Sequence, residues 1–117
     1  MNLKIEGQIL SGKNAMQVTR QGRHYPLPRF VAWRSDVYTQ LKKQHPVGWK
    51  TIDDPCSINF DYWPGDLRRR DVPGMIDAVF HCLEHFGVIQ DDSLFVNVKW
   101  STHEINREHP ALSIEIF

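Results

Sequence analysis

The segment from Pro73 to Gly87 most constrains what this chain can become. Ile76, Val79, Phe80, Leu83 and Phe86 recur at helical spacing, so this stretch is predicted to be a helix with one apolar stripe that must be buried against something else. Proline suits the first helical position, Asp71 or Val72 stands where a cap would stand, and Gly87 supplies the stop. On one side, Ile58, Phe60 and Tyr62 alternate with Ser57, Asn59 and Asp61, the period of a half-buried strand. On the other, Leu94, Val96, Val98 and Trp100 repeat that period.

The rest of the chain follows the same logic. Leu3, Ile5 and Ile9 alternate with Lys4, Glu6 and Gln8, which predicts a first strand over residues 2–10. Gln17-Val18-Thr19 and His24-Tyr25-Pro26-Leu27 flank Arg20-Gln21-Gly22-Arg23 and read as a hairpin, with Pro26 and Pro28 confining its second arm to an edge. Phe30, Trp33, Val37 and Leu41 form a helical stripe over residues 29–44, with Arg34, Gln40, Lys43 and Gln44 away from it, before Pro46 and Gly48 end the pattern. Leu112, Ile114 and Ile116 make a final strand after Pro110. The resulting order is β, hairpin, α, β, α, β, β. It is best satisfied by a single α+β domain over residues 1–117, a mixed sheet of four to five strands with two main helices packed on it.

At 117 residues the chain is long enough for one good core. No apolar run approaches the roughly 20 residues of a membrane helix, and the start lacks a signal-peptide pattern, so no membrane partner and a cytoplasmic location are expected. Cys56 and Cys82 have no metal-type spacing and read as free thiols. The formal net charge of +0 conceals a division. Residues 1–50 hold nine Lys and Arg against two acids, whereas residues 51–117 hold five against twelve. Either a basic surface faces an anion and an acidic region collects cations, or the two halves simply neutralise each other.

Chemistry-bearing side chains gather around the second helix. Arg68, Arg69 and Arg70 abut Asp71 at its start, Asp77 lies one turn in, and Asp91 and Asp92 follow its end. Aspartates that meet in space could hold Mg²⁺, which favours a few carboxylates completed by water. The arginine forks match phosphate oxygens. With Lys13, Asn14 and the basic first helix they outline a path for a nucleic-acid backbone. The alternative is structural: Asp71 as a cap, Asp91-Asp92 as an exposed turn, the arginines as a solvated run. His81-Cys82-Leu83-Glu84-His85 fits the H-x-x-E-H pattern of inverted zinc peptidases, but so short a match lacks a third ligand and a peptide cleft; surface histidines are the simpler reading.

Arg69-Arg70-Asp71, the helix with Ala78, Phe80 and Leu83, Gly87 and then Asp91-Asp92 resemble the RusA-type crossover junction endodeoxyribonucleases of bacteria and phages. Gly7-Gln8-Ile9-Leu10-Ser11-Gly12-Lys13-Asn14, Leu27-Pro28 and the helix with Trp33 look like phage members of that group, so the resemblance covers nearly the whole chain. It implies a Mg²⁺-dependent homodimer, with Mn²⁺ as a substitute ion, that resolves four-way (Holliday) junctions in DNA recombination and repair. Asp71 matches the family's first aspartate, Asp91 and Asp92 its later pair, and Arg70 a basic residue beside the phosphate. Two positions depart from the pattern: Pro73 stands where the family has a second aspartate, and Asp77 where it has a helix lysine. Asp77 could replace the missing carboxylate while Arg68, Arg69 or Lys13 supplies charge; otherwise the chain would bind branched DNA and cut it weakly or not at all.

Overall fold

The computed structural model of the chain describes residues 1–11, 16–18, 20–22, 24–44, 49–68 and 70–117. Four strands form the main sheet: β1 (Asn2–Glu6), β4 (Cys56–Trp63), β5 (Phe95–Thr102) and β6 (Ala111–Ile116). Their order is β1-β6-β4-β5, with β4 and β5 parallel and the other pairs antiparallel. The expected hairpin is present as β2 (Met16–Val18) and β3 (His24–Pro26), a separate two-stranded sheet. Two helices, α1 (Pro28–Gln44) and α2 (Val72–Phe86), complete the α+β domain.

One face of the sheet makes the core. Leu3 and Ile5 of β1, Ile58, Phe60 and Tyr62 of β4, and Leu112, Ile114 and Ile116 of β6 are buried with Val37 and Leu41 of α1 and Met75, Val79, Cys82 and Leu83 of α2. Each such aliphatic or aromatic side chain contributes about 1.5–3 kcal/mol by leaving water, which ties both helices to the same face. The alternating positions, among them Lys4, Asn97 and Lys99, stay exposed. Cys56 and Cys82 are both free, and burial pushes the Cys82 thiol up to about 12. Among the described residues no helix is long and apolar enough to cross a membrane.

The first strand is shorter than its alternation predicts. It ends at Glu6 because Gly7 adopts a φ of 101°, a left-handed conformation suited to glycine, and the Gly7 N–H donates to the carbonyl of Pro110 at 2.8 Å. Ile9 is still buried, its N–H donating to the Tyr62 hydroxyl at 3.2 Å. Gln40 and Gln44, which lie off the apolar stripe of α1, have a use that periodicity did not reveal. Gln40 Oε1 accepts from the Glu6 N–H at 2.7 Å and its Nε2 donates to the Glu6 carbonyl at 3.1 Å. Gln44 does the same with both backbone groups of Lys4, each at 2.7 Å. Two side-chain amides one helical turn apart thus occupy the free edge of β1 as a neighbouring strand would.

Candidate functional site

The N-terminal end of α2 is a braced corner. Asp71 caps the helix, its Oδ1 accepting from the Gly74 N–H at 3.3 Å while Oδ2 accepts from the Ser11 hydroxyl at 3.2 Å. Gly74 leaves room for these two bonds: a Cβ at this position would lie 2.0 Å from Ser11 Oγ and 2.6 Å from Asp71 Oδ2, so a side chain there displaces one or both. Arg70 folds back on Asp66, with Nη2 donating to the Asp66 carboxylate and to its carbonyl at 2.8 Å. The Arg70 side chain, and next the Arg68 N–H, hold the Asp66 carboxyl below its ordinary value. Asp66 in turn accepts from Gln8 Nε2 at 3.2 Å, and Gln8 Oε1 accepts from the buried Tyr62 hydroxyl at 2.6 Å. Trp33 Nε1 donates to the Gln8 carbonyl at 3.0 Å. This chain of bonds runs from α1 through the segment after β1 to the arginine corner, where Gln8, Ser11, Asp66, Arg68, Arg70 and Asp71 line a concave pocket of about 230 Å³.

The C-terminal end is of another kind. Gly87 stops the helix at a φ of 90°, its N–H donating to the Glu84 carbonyl. The chain then turns through Val88 and Ile89, both buried, into a short 3₁₀ turn at Asp92–Leu94. Asp91 caps that turn, accepting from the Ser93 N–H at 2.9 Å, and Ser93 holds its carboxyl below the ordinary value. Glu84, Asp91 and Asp92 are exposed and each offers an oxygen within 4.8 Å of the others. Three exposed carboxylates at this separation are the donor set a hard divalent cation such as Mg²⁺ or Mn²⁺ takes, with water completing its shell.

The structure therefore separates groups that the sequence reading placed together. Asp91 and Asp92 do meet a third carboxylate, but it is Glu84 and not Asp71. The 15 residues of α2 at about 1.5 Å each put roughly 22 Å between its ends, so within one chain no single ion touches both Asp71 and the Asp91-Asp92 corner. Asp77 is exposed between the two groups, about 9 Å of helix rise from Asp71 and about 10 Å from Glu84, and joins neither. Of the proposed phosphate-binding residues, Arg68 is exposed beside the pocket and Arg70 is committed to Asp66. Lys13, Asn14 and Arg69 lie outside the described residues.

Asp66 and Gly74 were not expected in these corners, nor were Glu84, named only within the H-x-x-E-H pattern, and Gln8 and Ser11, named only within the amino-terminal run. Only Gly74 left a trace, because a glycine in the first turn of a strong helix lowers helix propensity for no local reason. His81 is also differently placed. It is half-buried on the α1 side of α2, where Arg34 Nη1 donates to its Nε2 at 3.1 Å and its ring centroid lies 6.0 Å from that of Phe30. Burial first, then His85 and Arg34, lower its pKa. A guanidinium at that ring nitrogen leaves no lone pair for zinc, and the inverted-peptidase reading loses its first ligand.

No family model and no curated protein matches the chain.

Proposed function

We propose that this protein is a Mg²⁺-dependent endodeoxyribonuclease that cuts four-way DNA junctions as a homodimer, each site combining the Arg70-Asp71 corner of one copy with the acidic corner of the other. The observation that carries the reading is the placement of complementary parts at opposite ends of one helix: three convergent carboxylates at one end, and an aspartate in an arginine-lined pocket at the other. A two-fold axis that sets two α2 helices antiparallel brings unlike ends together. Single-chain closure, which α2 forbids, is then unnecessary.

In this reading Glu84, Asp91 and Asp92, with Asp71 from the second copy, would hold the cation, while Asp77, which joins neither group, stays outside the set. When bound, it polarises the scissile phosphate and lowers the pKa of water for attack. Arg68, whose guanidinium is exposed, binds a non-bridging phosphate oxygen; Arg70 can do so only by exchanging Asp66 for the phosphate. Ser11 holds Asp71 in one orientation, which keeps the carboxylate ready. The competing reading is a protein that binds branched DNA without cutting it well. Pro73, Asp77 and the Asp66–Arg70 pair favour it, since a ligand, a helix cation and a free phosphate clamp are each compromised.

One mixing experiment decides between them. Asp71→Asn and Asp92→Asn are each expected to lower cleavage of a four-way junction in Mg²⁺ by at least about a hundredfold, the scale of losing one strong transition-state contact. Mixed and allowed to exchange subunits, they should regain about a quarter of the sites, because half of the dimers are mixed and each carries one intact composite site. No recovery on mixing would overturn the composite site, and a wild type that binds the junction without cutting it in Mg²⁺ would leave the binding protein.

A further inference from the structure

We infer that the outer edge of β5 is the surface on which two copies of this chain join, strand against antiparallel strand, into one continuous eight-stranded sheet. It deepens the homodimer reading above, on which it rests for the identity of the occupant, by naming the surface.

The two edges of the sheet are treated differently. On β1 the backbone groups of Lys4 and Glu6 are occupied by Gln44 and Gln40. On β5, eight residues long and without proline, no described residue hydrogen-bonds to the outer backbone edge. An edge of that length is a template for another strand unless something covers it. It is also apolar where a soluble edge would be polar: Val96 is 61% exposed and Val98 45%. Val98 is in register with Ile58, a core residue, so it sits on the helix side of the sheet at the rim of the core. Trp100 lies two residues further on that side and packs on Phe60 at 5.3 Å between ring centroids.

Charge selects the occupant and the register. A two-fold axis at Lys99 would set Lys99 against Lys99 of the second copy, which is unfavourable for directly opposed residues. An axis at Trp100 leaves Val96 without an apolar neighbour. An axis at Val98 packs Val98 on Val98 and places Lys99 opposite Asn97 with no like charges facing, while Val96, the extra residue at the register shift after Phe95, comes opposite the Trp100 end of the second copy. The strand is thus self-complementary about Val98, which is the property a two-fold contact needs. The direction also fits. β5 starts just after Asp92, and the residue after its end, His103, donates its N–H to the carbonyl of Tyr62 at 2.7 Å, a few residues before the Asp66–Asp71 corner. Antiparallel pairing therefore sends the acidic corner of each copy toward the arginine corner of the other.

The test is sedimentation of the full chain without DNA or metal, so that it is independent of cleavage. The wild type is expected at twice 13.7 kDa at micromolar concentration. Val98→Lys should raise the dimer dissociation constant at least about a hundredfold, by burying two charges at the axis. Asn97→Asp, an exposed change with little risk to folding, should tighten the dimer about several-fold by facing Lys99, and Asn97→Lys should weaken it by a similar factor. Gln40→Ala at the opposite edge should leave the dimer intact. A monomeric wild type, a dimer that survives Val98→Lys, or equal effects of the two Asn97 changes would overturn the interface. A dimer that responds as stated but fails to cleave would leave the interface standing and overturn the nuclease reading.

Discussion

The two ends of α2 both carry carboxylates, and they differ in what those carboxylates already do. At the N-terminal end Asp71 accepts from Gly74 and Ser11, and Asp66 is held by Arg70, Arg68 and Gln8. At the C-terminal end Glu84, Asp91 and Asp92 stand together in solvent with no cation beside them among the described residues. The first end is a structural joint that doubles as a candidate site. At the second only Asp91 has such a role, capping the 3₁₀ turn through the Ser93 N–H, and three like charges this close cost stability even when solvated. In the proposed reading a bound cation would offset that cost.

Substitutions can break this contrast, and the largest effect is expected at Gly74. Gly74→Ala drives a methyl group into Ser11 and Asp71, and should destabilise the protein by about 1–3 kcal/mol, as overpacking does. Thermal unfolding would show a fall of roughly 5–15 °C; a shift under 2 °C would mean that the corner is not braced as described. At the other end, Asp91→Asn with Asp92→Asn should be neutral or slightly stabilising in metal-free buffer, while weakening Mn²⁺ binding by about tenfold or more. Calorimetric titration with Mn²⁺ measures the second quantity. Loss of stability without loss of Mn²⁺ affinity would reverse the roles assigned to the two ends.

The smallest effect is one of pH. Arg70 and Arg68 depress the folded pKa of Asp66, so the stability this carboxylate confers is present above its ordinary value of about 3.9. It is lost as pH falls through the lower folded pKa. Acid unfolding of Asp66→Asn should therefore be shallower than that of the wild type below that value. Parallel curves would show that the Asp66–Arg70 pair adds nothing to the joint.

Much of the fold was legible because it depends on local pattern. The stripe of Ile76, Val79, Phe80 and Leu83, bounded by Pro73 and Gly87, placed α2 within a residue, and Asp71 proved to be its cap. The strand carrying Ile58, Phe60 and Tyr62 and the helix carrying Val37 and Leu41 are where their periods put them. Strand pairing was not legible: β4 and β5 are parallel neighbours while the last strand enters between β1 and β4. Nor was the use of Gln40 and Gln44, since an amide that pairs with a strand edge leaves the same polar signature as one that faces water. The site was half legible for the same reason. Asp71, Asp91 and Asp92 stood out by type and position, but Glu84 joined them only through the turn at Gly87.

Sequence by itself determined which segments are helix or strand, which face of each is buried, and which acids flank the second helix, because these follow from side chains acting on near neighbours along the chain. Tertiary structure alone decided that the flanking acids stand at opposite ends of a helix about 22 Å long, that Glu84 completes one group and Ser11 braces the other, and that one sheet edge is closed while its opposite is open. Those outcomes depend on where distant segments come to rest, and a rigid helix converts a short separation in sequence into a long one in space.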